Sequence, residues 1–379
     1  MQIFYFPHLQ LQDTNEIIIG NVKIWKFSAN ANNYISNTAL REKVKSLLYI
    51  NTFQGKAIED IPVISIKNID FRIFTEAEIK QINDARNLLF LAFISVNNIL
   101  DHSPNQGHYM ATSENFEIIN QSFEMSKDTL STRNGILVNK IDFGNKISEI
   151  KFEYPLQAPR PIIFSIDEDL ICQMLLLKKK DKELFEKIIS ASEIFYESYF
   201  NTENLSCNAR ILLGAGAFEM LLGTHGNARK EIKQKVREML YIRGKEKRVS
   251  FLSERENGKI RESGSIKIMW ADRFFSLRNH IIHGDKVNIK KFKFKNIQAH
   301  FHITPIFFIA FIHQLINTAI STKEEKVFYS EIAWKAPDPY THETEGFKFN
   351  HNQIYKEINK CLDESGLFDK KNKSKKATI

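Results

Sequence analysis

The segment Phe274–Val287, FFSLRNHIIHGDKV, sets Arg278, Asn279, His280 and His283 within six residues. An imidazole exchanges protons near neutrality. An arginine stays charged and presents a planar fork that fits phosphoryl oxygens. An asparagine side chain can orient either one. These residue types suit proton transfer beside a bound anion. Two blander readings compete. His280 and His283, three apart, could be two metal ligands with Asp285 nearby. A metal site needs three or four ligands, and no Cys cluster or Glu-x-x-His motif accompanies them, so no metal is expected. Alternatively, Arg278 pairs with a carboxylate, for which Glu219 is available, alone in an apolar helix, and His283 only caps its own helix.

The residues around the cluster must form a helix. Ile266, Met269 or Trp270, Phe274, Leu277 and Ile281 recur at steps of three and four, which marks a buried stripe. Asn279 and His283 are four apart and share a face, so Asn279 is placed to orient the His283 ring. Arg278 precedes His283 by five, roughly 140° around the helix, so the two flank a groove. Gly284 closes the helix. His283 therefore sits at its carboxyl end, where the dipole favours a cation.

Further out, the chain divides into three parts. Residues 1–155 are mixed and strand-rich. NEIIIGNVKIWKF suits a strand pair around a Gly turn, and IPVISIKNIDFRIF is a further strand. A helix follows in TEAEIKQINDARNLLFLAFISVNNIL, where Thr75 and Glu78 form a capping-box pattern. Strands are expected again between Asn120 and Tyr154, with a turn at RNG. This third lacks strand–helix alternation, which argues against a Rossmann-like nucleotide sensor. Pro155, Pro159 and Pro161 mark a boundary.

Residues 162–322 change to helices. DEDLICQMLLLKKKDKELFEKIISASEIFYESYFN reads as one or two, and SCNARILLGAGAFEMLLG ends at Gly223. NARKEIKQKVREMLYIRG ends at Gly244, SGSIKIMWADRFFSLRNHIIHG at Gly284, and TPIFFIAFIHQLINTAI is the last. The whole is α+β: a strand-rich amino-terminal domain followed by an all-α bundle. Residues 323–379 form an extension with a basic tail, DKKNKSKKATI, expected to be disordered. Within the bundle, GAGAFE lacks the third Gly and preceding strand of a dinucleotide loop, so its small residues are expected to permit close helix contact. GTHG, Gly223–Gly226, reads as a turn.

Composition is that of an ordinary globular protein, 43% hydrophobic and 26% charged over 379 residues. Net charge is +8, which favours a polyanionic partner. Asn227–Arg248 carries nine Lys/Arg against three Glu. Directly after the cluster, Lys286, Lys290, Lys291, Lys293 and Lys295 alternate in part with Phe292 and Phe294, a pattern that can face phosphates on one edge and core on the other. The three separated cysteines suggest a reducing, cytoplasmic setting. Neither apolar stretch is read as a membrane span: Leu88–Leu100 is short, and Ile303–Ile320 contains Pro, His, Gln and Asn.

RNHIIHG resembles the Arg-Asn-x-x-x-His pattern of HEPN domains, and NARILLGAGAFEMLLG resembles the Arg…Leu…Ala…Glu…Leu helix of the ApeA-like HEPN group. The resemblance spans about residues 165–320. It implies a helical bundle and a metal-independent endoribonuclease without cofactor, of the kind found in anti-phage, abortive-infection and toxin systems. It assigns Arg278, Asn279 and His283 to catalysis, with Glu219 and His280 as candidates for support. RNA cleavage by the 2′-hydroxyl needs a base, an acid and a cation for the phosphorane. The resemblance also implies a homodimer with a composite cleft, RNA as partner, and a trigger sensed by the amino-terminal region. Its alternatives are a non-catalytic HEPN module binding RNA or a protein, such as a toxin-neutralising partner, and a nuclease gated by a separate ligand-binding domain.

Overall fold

The computed structural model describes residues 1–320 except 10, 12–14, 50, 54–55, 59, 67–70, 97–112, 124, 126–129, 133–149, 152–165, 200–204, 225, 241–247, 256–257 and 295–297. The Pro-rich boundary, the RNG turn, Gly244 and the basic tail lie outside the described residues. The fold is α+β and divides into two compact units, the second built mainly from Asp167–Ser198 and the chain from Ser206 onward.

The first unit is built on β1 (Gln2–Tyr5), β2 (Glu16–Ile19), β3 (Val22–Lys26), α1 (Phe27–Tyr34), α2 (Thr38–Leu48), β4 (Asn51–Phe53), β5 (Lys56–Ala57), β6 (Pro62–Ile66), α3 (Glu76–Val96), β7 (Ile119–Phe123), β8 (Leu130–Thr132) and β9 (Ile150–Lys151). Six strands form one sheet in the order β2-β3-β6-β1-β7-β8, with every neighbouring pair antiparallel. The Gly turn predicted between β2 and β3 is present, with Gly20 at φ 62°. One face carries Ile3, Tyr5, Trp25 and Val63 into a core closed by Phe27, Ala31, Val44 and Leu47 of α1 and α2. The capping box of α3 also forms. Thr75 Oγ1 accepts from the Glu78 amide at 3.3 Å, and Glu78 Oε2 accepts from the Thr75 amide at 3.0 Å.

The second unit contains α4 (Glu168–Lys180), α5 (Lys182–Ser198), α6 (Cys207–Leu222), α7 (Ala228–Met239), β10 (Arg248–Arg255), β11 (Gly258–Ser265), α8 (Ile266–Ile282), β12 (Lys293–Phe294), β13 (Gln298–Ala299) and α9 (His300–Ile320). The first helical stretch is two helices because Asp181 interrupts it. Its carboxylate accepts from the Leu184 amide at 2.9 Å and starts α5. The bundle is not purely helical. β10 and β11 pair as an antiparallel hairpin between α7 and α8. α8 consequently begins at Ile266, not Ser263, because Ser263–Ser265 complete the hairpin and Ser265 caps the helix.

Helices α5, α6, α8 and α9 meet around Phe218, with Trp270, Phe274 and Phe308 among its neighbours. The stripe read from α8 is buried at Met269, Trp270, Phe274 and Leu277, while Ile281 is half-buried. α9 contains Ile303–Ile320, long and apolar enough to cross a membrane by composition, and 65% of that window is buried.

The small residues of α6 are less tightly constrained than close helix contact would require. A Cβ at Gly214 would meet a Phe274 ring carbon at 3.6 Å and Ser198 Oγ at 3.7 Å, ordinary contact distances, and one at Gly216 meets nothing within 4 Å. Glycine in a helix interior is about 1 kcal/mol less favourable than alanine. Gly214→Ala should therefore stabilise the unit by about 0.5–1 kcal/mol. Thermal melting checks this, and a lowered midpoint would show that the α6–α8 contact tolerates no methyl group.

Candidate active site

The end of α8 is fixed by its backbone. Gly284 adopts φ 73°, its amide bonds the Ile281 carbonyl at 3.1 Å, and the Asp285 amide bonds the His280 carbonyl at 2.9 Å. This paired closure needs a left-handed residue at Gly284 and folds Asp285 back over the last turn. α6 ends in the same way, with Gly223 at φ 61° and the Thr224 amide on the Glu219 carbonyl at 3.1 Å. Gly214 faces Phe274 and, further along, Glu219 faces Arg278. The two helices therefore run parallel, and their carboxyl ends lie together. Two negative dipole ends converge there, which favours cations.

Arg278 answers that demand. Its Nη2 lies 3.0 Å from Glu219 Oε1 and donates to Oε2 at 3.1 Å. Glu219 Oε1 is buried and accepts no hydrogen bond among the described residues, so charge alone holds it. Helical spacing aims Asn279 at the His283 ring. Instead, Asn279 Oδ1 accepts from Arg278 Nη1 at 3.1 Å, and only its main-chain carbonyl reaches His283, through the amide at 3.0 Å. Asn279 is therefore a brace for Arg278. His283 is the C-cap residue, exposed, and its ring has no hydrogen-bond partner among the described residues.

His280 is held on both sides of its ring. Its Nδ1 lies 2.7 Å from Asp285 Oδ2 and its Nε2 lies 2.6 Å from Glu254 Oε2. Glu254 also accepts from Ser276 Oγ at 2.9 Å, and Lys291 Nζ stands 3.4 Å from its other oxygen. Burial alone would raise the Glu254 carboxyl. Hydrogen bonds from His280 and Ser276, with the charges of Lys291 and His280, overcome this and hold it down at about 2. The two carboxylates grip opposite sides of one ring, so they do not converge on a shared point. Among the described residues no three His, Cys, Asp or Glu side chains group as metal ligands.

Glu254 comes from the hairpin that sequence reading passes over, and a buried ion cluster pins that hairpin down. Asp272, 1% exposed, receives Arg229 Nε at 3.0 Å and Nη2 at 2.8 Å, Lys233 Nζ at 2.9 Å and Ser253 Oγ at 3.0 Å. Lys233 continues to Glu262 Oε2 of β11 at 2.7 Å. Arg229 Nη1 donates to the Glu254 carbonyl at 2.5 Å. The charge of Asp272 on α8 thus anchors the strand that carries Glu254 to His280. The sequence signal for the hairpin is Asn257–Gly258 between two alternating runs.

Of the expected RNA contacts, Lys286, Lys290 and Lys291 are exposed, and Lys290 and Lys291 lie on a short turn, Ile289–Phe292. The Lys293 side chain and Lys295 lie outside the described residues. Behind the site, His300 is a neutral core imidazole: burial first, then the nearby Arg273 charge, depress it to about 3. Its folded value lies below the unfolded value of about 6.5. The unfolded chain therefore binds the extra proton, and stability is lost as pH falls from about 6.5 towards 3. Denaturant midpoints across that range should fall in wild type and fall less in His300→Gln. Equal slopes would remove His300 as the cause.

No family model, curated protein or solved structure matches this chain.

Proposed function

We propose that the helical unit is a metal-independent endoribonuclease of the HEPN type, acting in anti-phage defence or as a toxin-like effector. The observation that carries this reading is the pairing of two unlike groups at one helix end. Arg278 is held in place by Glu219 and Asn279, while the His283 ring stands exposed and unengaged among the described residues. An ordered guanidinium suits the phosphorane oxygens, and a free imidazole suits proton transfer to or from the ribose 2′-hydroxyl or the departing 5′-oxygen. Lys286 and Lys290 supply exposed positive charge beside it. DNA, without the 2′-hydroxyl, is not a substrate by this route.

One helix end provides a single such set. Met220 beside Glu219 and Ile282 one turn beyond Arg278 are exposed apolar side chains bordering the pair. They suit a second copy of the chain, which would bring a second Arg278–His283 set to a composite cleft. The amino-terminal unit would then receive the trigger.

A second reading has its own support. The ion pair with Glu219 satisfies Arg278 without RNA, as expected of a non-catalytic module that binds RNA or a protein partner. An RNA-cleavage assay with EDTA present separates the two. Arg278→Ala and His283→Ala should each reduce cleavage by about 10²-fold or more. Undiminished cleavage in both variants would refute the assignment. RNA binding with no cleavage by the wild type would establish the binding module.

A further inference from the structure

The His280 ring is asked to satisfy two incompatible partners at one nitrogen. Both carboxylate contacts, Nδ1 to Asp285 at 2.7 Å and Nε2 to Glu254 at 2.6 Å, are hydrogen bonds together only when both nitrogens carry protons. Yet Lys291 Nζ lies 2.9 Å from the same Nε2. An ammonium only donates, so it can bond Nε2 only when the ring is neutral with its proton on Nδ1. Glu254 needs a proton on Nε2; Lys291 needs that nitrogen without one.

The groups facing this ring come from every side. Glu254 reaches it from β10, Asp285 from the turn after α8, and Lys291 from the turn at Ile289–Phe292. Ser276, a neutral group on α8, holds Glu254, and the Arg273 charge on the same helix acts on Glu254 as well. Hydrogen bonds and nearby charges hold the Glu254 carboxyl down at about 2, so the exchange of partners falls to the ring, whose nitrogens can each donate or accept.

We propose that His280 is a positioning residue: its charged ring clasps Glu254 and Asp285 together, and on losing its proton it passes Nε2 to Lys291. The clasp sets the segment Gly284–Lys291, which follows His283 directly and carries Lys286, Lys290 and Lys291. With the ring charged, Asp285 is tied to the hairpin and Lys291 keeps only its contact with Glu254 Oε1, at 3.4 Å. With the ring neutral, Glu254 loses its bond, Lys291 is taken up, and the turn after α8 loosens. The link to RNA cleavage rests on the function proposed above; the clasp itself does not.

Hydrogen exchange on the full-length chain tests the clasp without any activity. The Gly284 and Asp285 amides report on it, because they bond the Ile281 and His280 carbonyls. After correction for intrinsic rates, their protection should be greater at pH 5.5 than at pH 8 by about fivefold, the factor one net hydrogen bond carries. In His280→Gln the pH dependence should vanish. Ring nitrogen resonances provide a second readout: Lys291→Met should move the ring's titration midpoint up, and Glu254→Gln should move it down. Identical protection at both pH values in wild type, or one midpoint shared by all three proteins, would overturn the proposal. Arg278→Ala and His283→Ala should keep the pH-dependent protection even where cleavage is lost, which separates a failure of the clasp from a failure of the nuclease assignment.

Discussion

Asp272→Ala is expected to destabilise the helical unit by about 3–5 kcal/mol, because it strips the acceptor from a buried ion cluster. Asp272 accepts all four of these hydrogen bonds, two from Arg229 and one each from Lys233 and Ser253. Arg229 and Lys233 both point at it, and Lys233 is itself 4% exposed. Removing the carboxylate leaves two cations in a poorly solvated site with Glu262 as the remaining counter-charge, shared through Lys233. The attraction lost is weighed against desolvation already incurred by the partners, and the partners stay desolvated. Asp272→Asn keeps an acceptor for Ser253 and Arg229 and should lose less. Denaturant titration followed by helical circular dichroism measures both. A change below about 1 kcal/mol in Asp272→Ala would mean that water or Glu262 satisfies the cations, and that the cluster does not anchor the hairpin. The same variant should loosen Glu254, since Arg229 also holds the Glu254 carbonyl.

Features that depend on neighbours in sequence were legible. The Thr75–Glu78 box, the Gly20 turn and the glycines that end α6 and α8 each follow from local bonding demands that only a few residue types meet. The Glu219–Arg278 pair was legible for a different reason. A lone carboxylate in an apolar helix must find a cation. The hairpin was not, because Leu252 and Ile260 stand outward among polar and charged residues, which blurs the alternation, and its inward positions on β10 are Phe251 and Ser253, too short an apolar signal to stand out. The partners of His280 were not legible either, since Glu254 and Lys291 lie 26 and 11 residues away. Asn279 turned to Arg278 rather than His283 because a charged donor forms the stronger hydrogen bond.

The helix sorts these groups by angle. Taking Arg278 as origin, Asn279 lies roughly 100° away, His283 140° and His280 200°. The Glu219 pair and the Glu254 pair therefore occupy opposite flanks of α8, and the free His283 ring stands between them. Each flank orders one side of the helix end, the first through α6 and the second through the hairpin. Under the proposed function, the residue that would transfer a proton is the member left without a hydrogen bond, among the described residues, between two fixed ones.

Phe218→Ala should cost about 3–5 kcal/mol, comparable to Asp272→Ala but by emptying a cavity instead of stranding charge. Phe218 is fully buried, and its ring meets Phe195, Trp270, Phe274 and Phe308 at centroid distances of 6.5, 5.8, 6.2 and 5.4 Å. Those four rings belong to α5, α8 and α9, so one side chain on α6 joins three other helices. Aromatic pairs add roughly 0.5–1.5 kcal/mol each beyond burial, but pairs sharing one ring are not additive, so the total stays within the cavity range. Phe218→Leu fills most of the space and should cost about 1.5 kcal/mol or less. Phe218 precedes Glu219, so collapse of α6 into the cavity would draw Glu219 away from Arg278. Under the proposed function, RNA cleavage in Phe218→Ala should then fall at temperatures where the protein is still folded, while Phe218→Leu retains it. A Phe218→Ala protein that unfolds within 1 kcal/mol of wild type would show that the aromatic cluster repacks without this ring, and would remove the coupling to Arg278 with it.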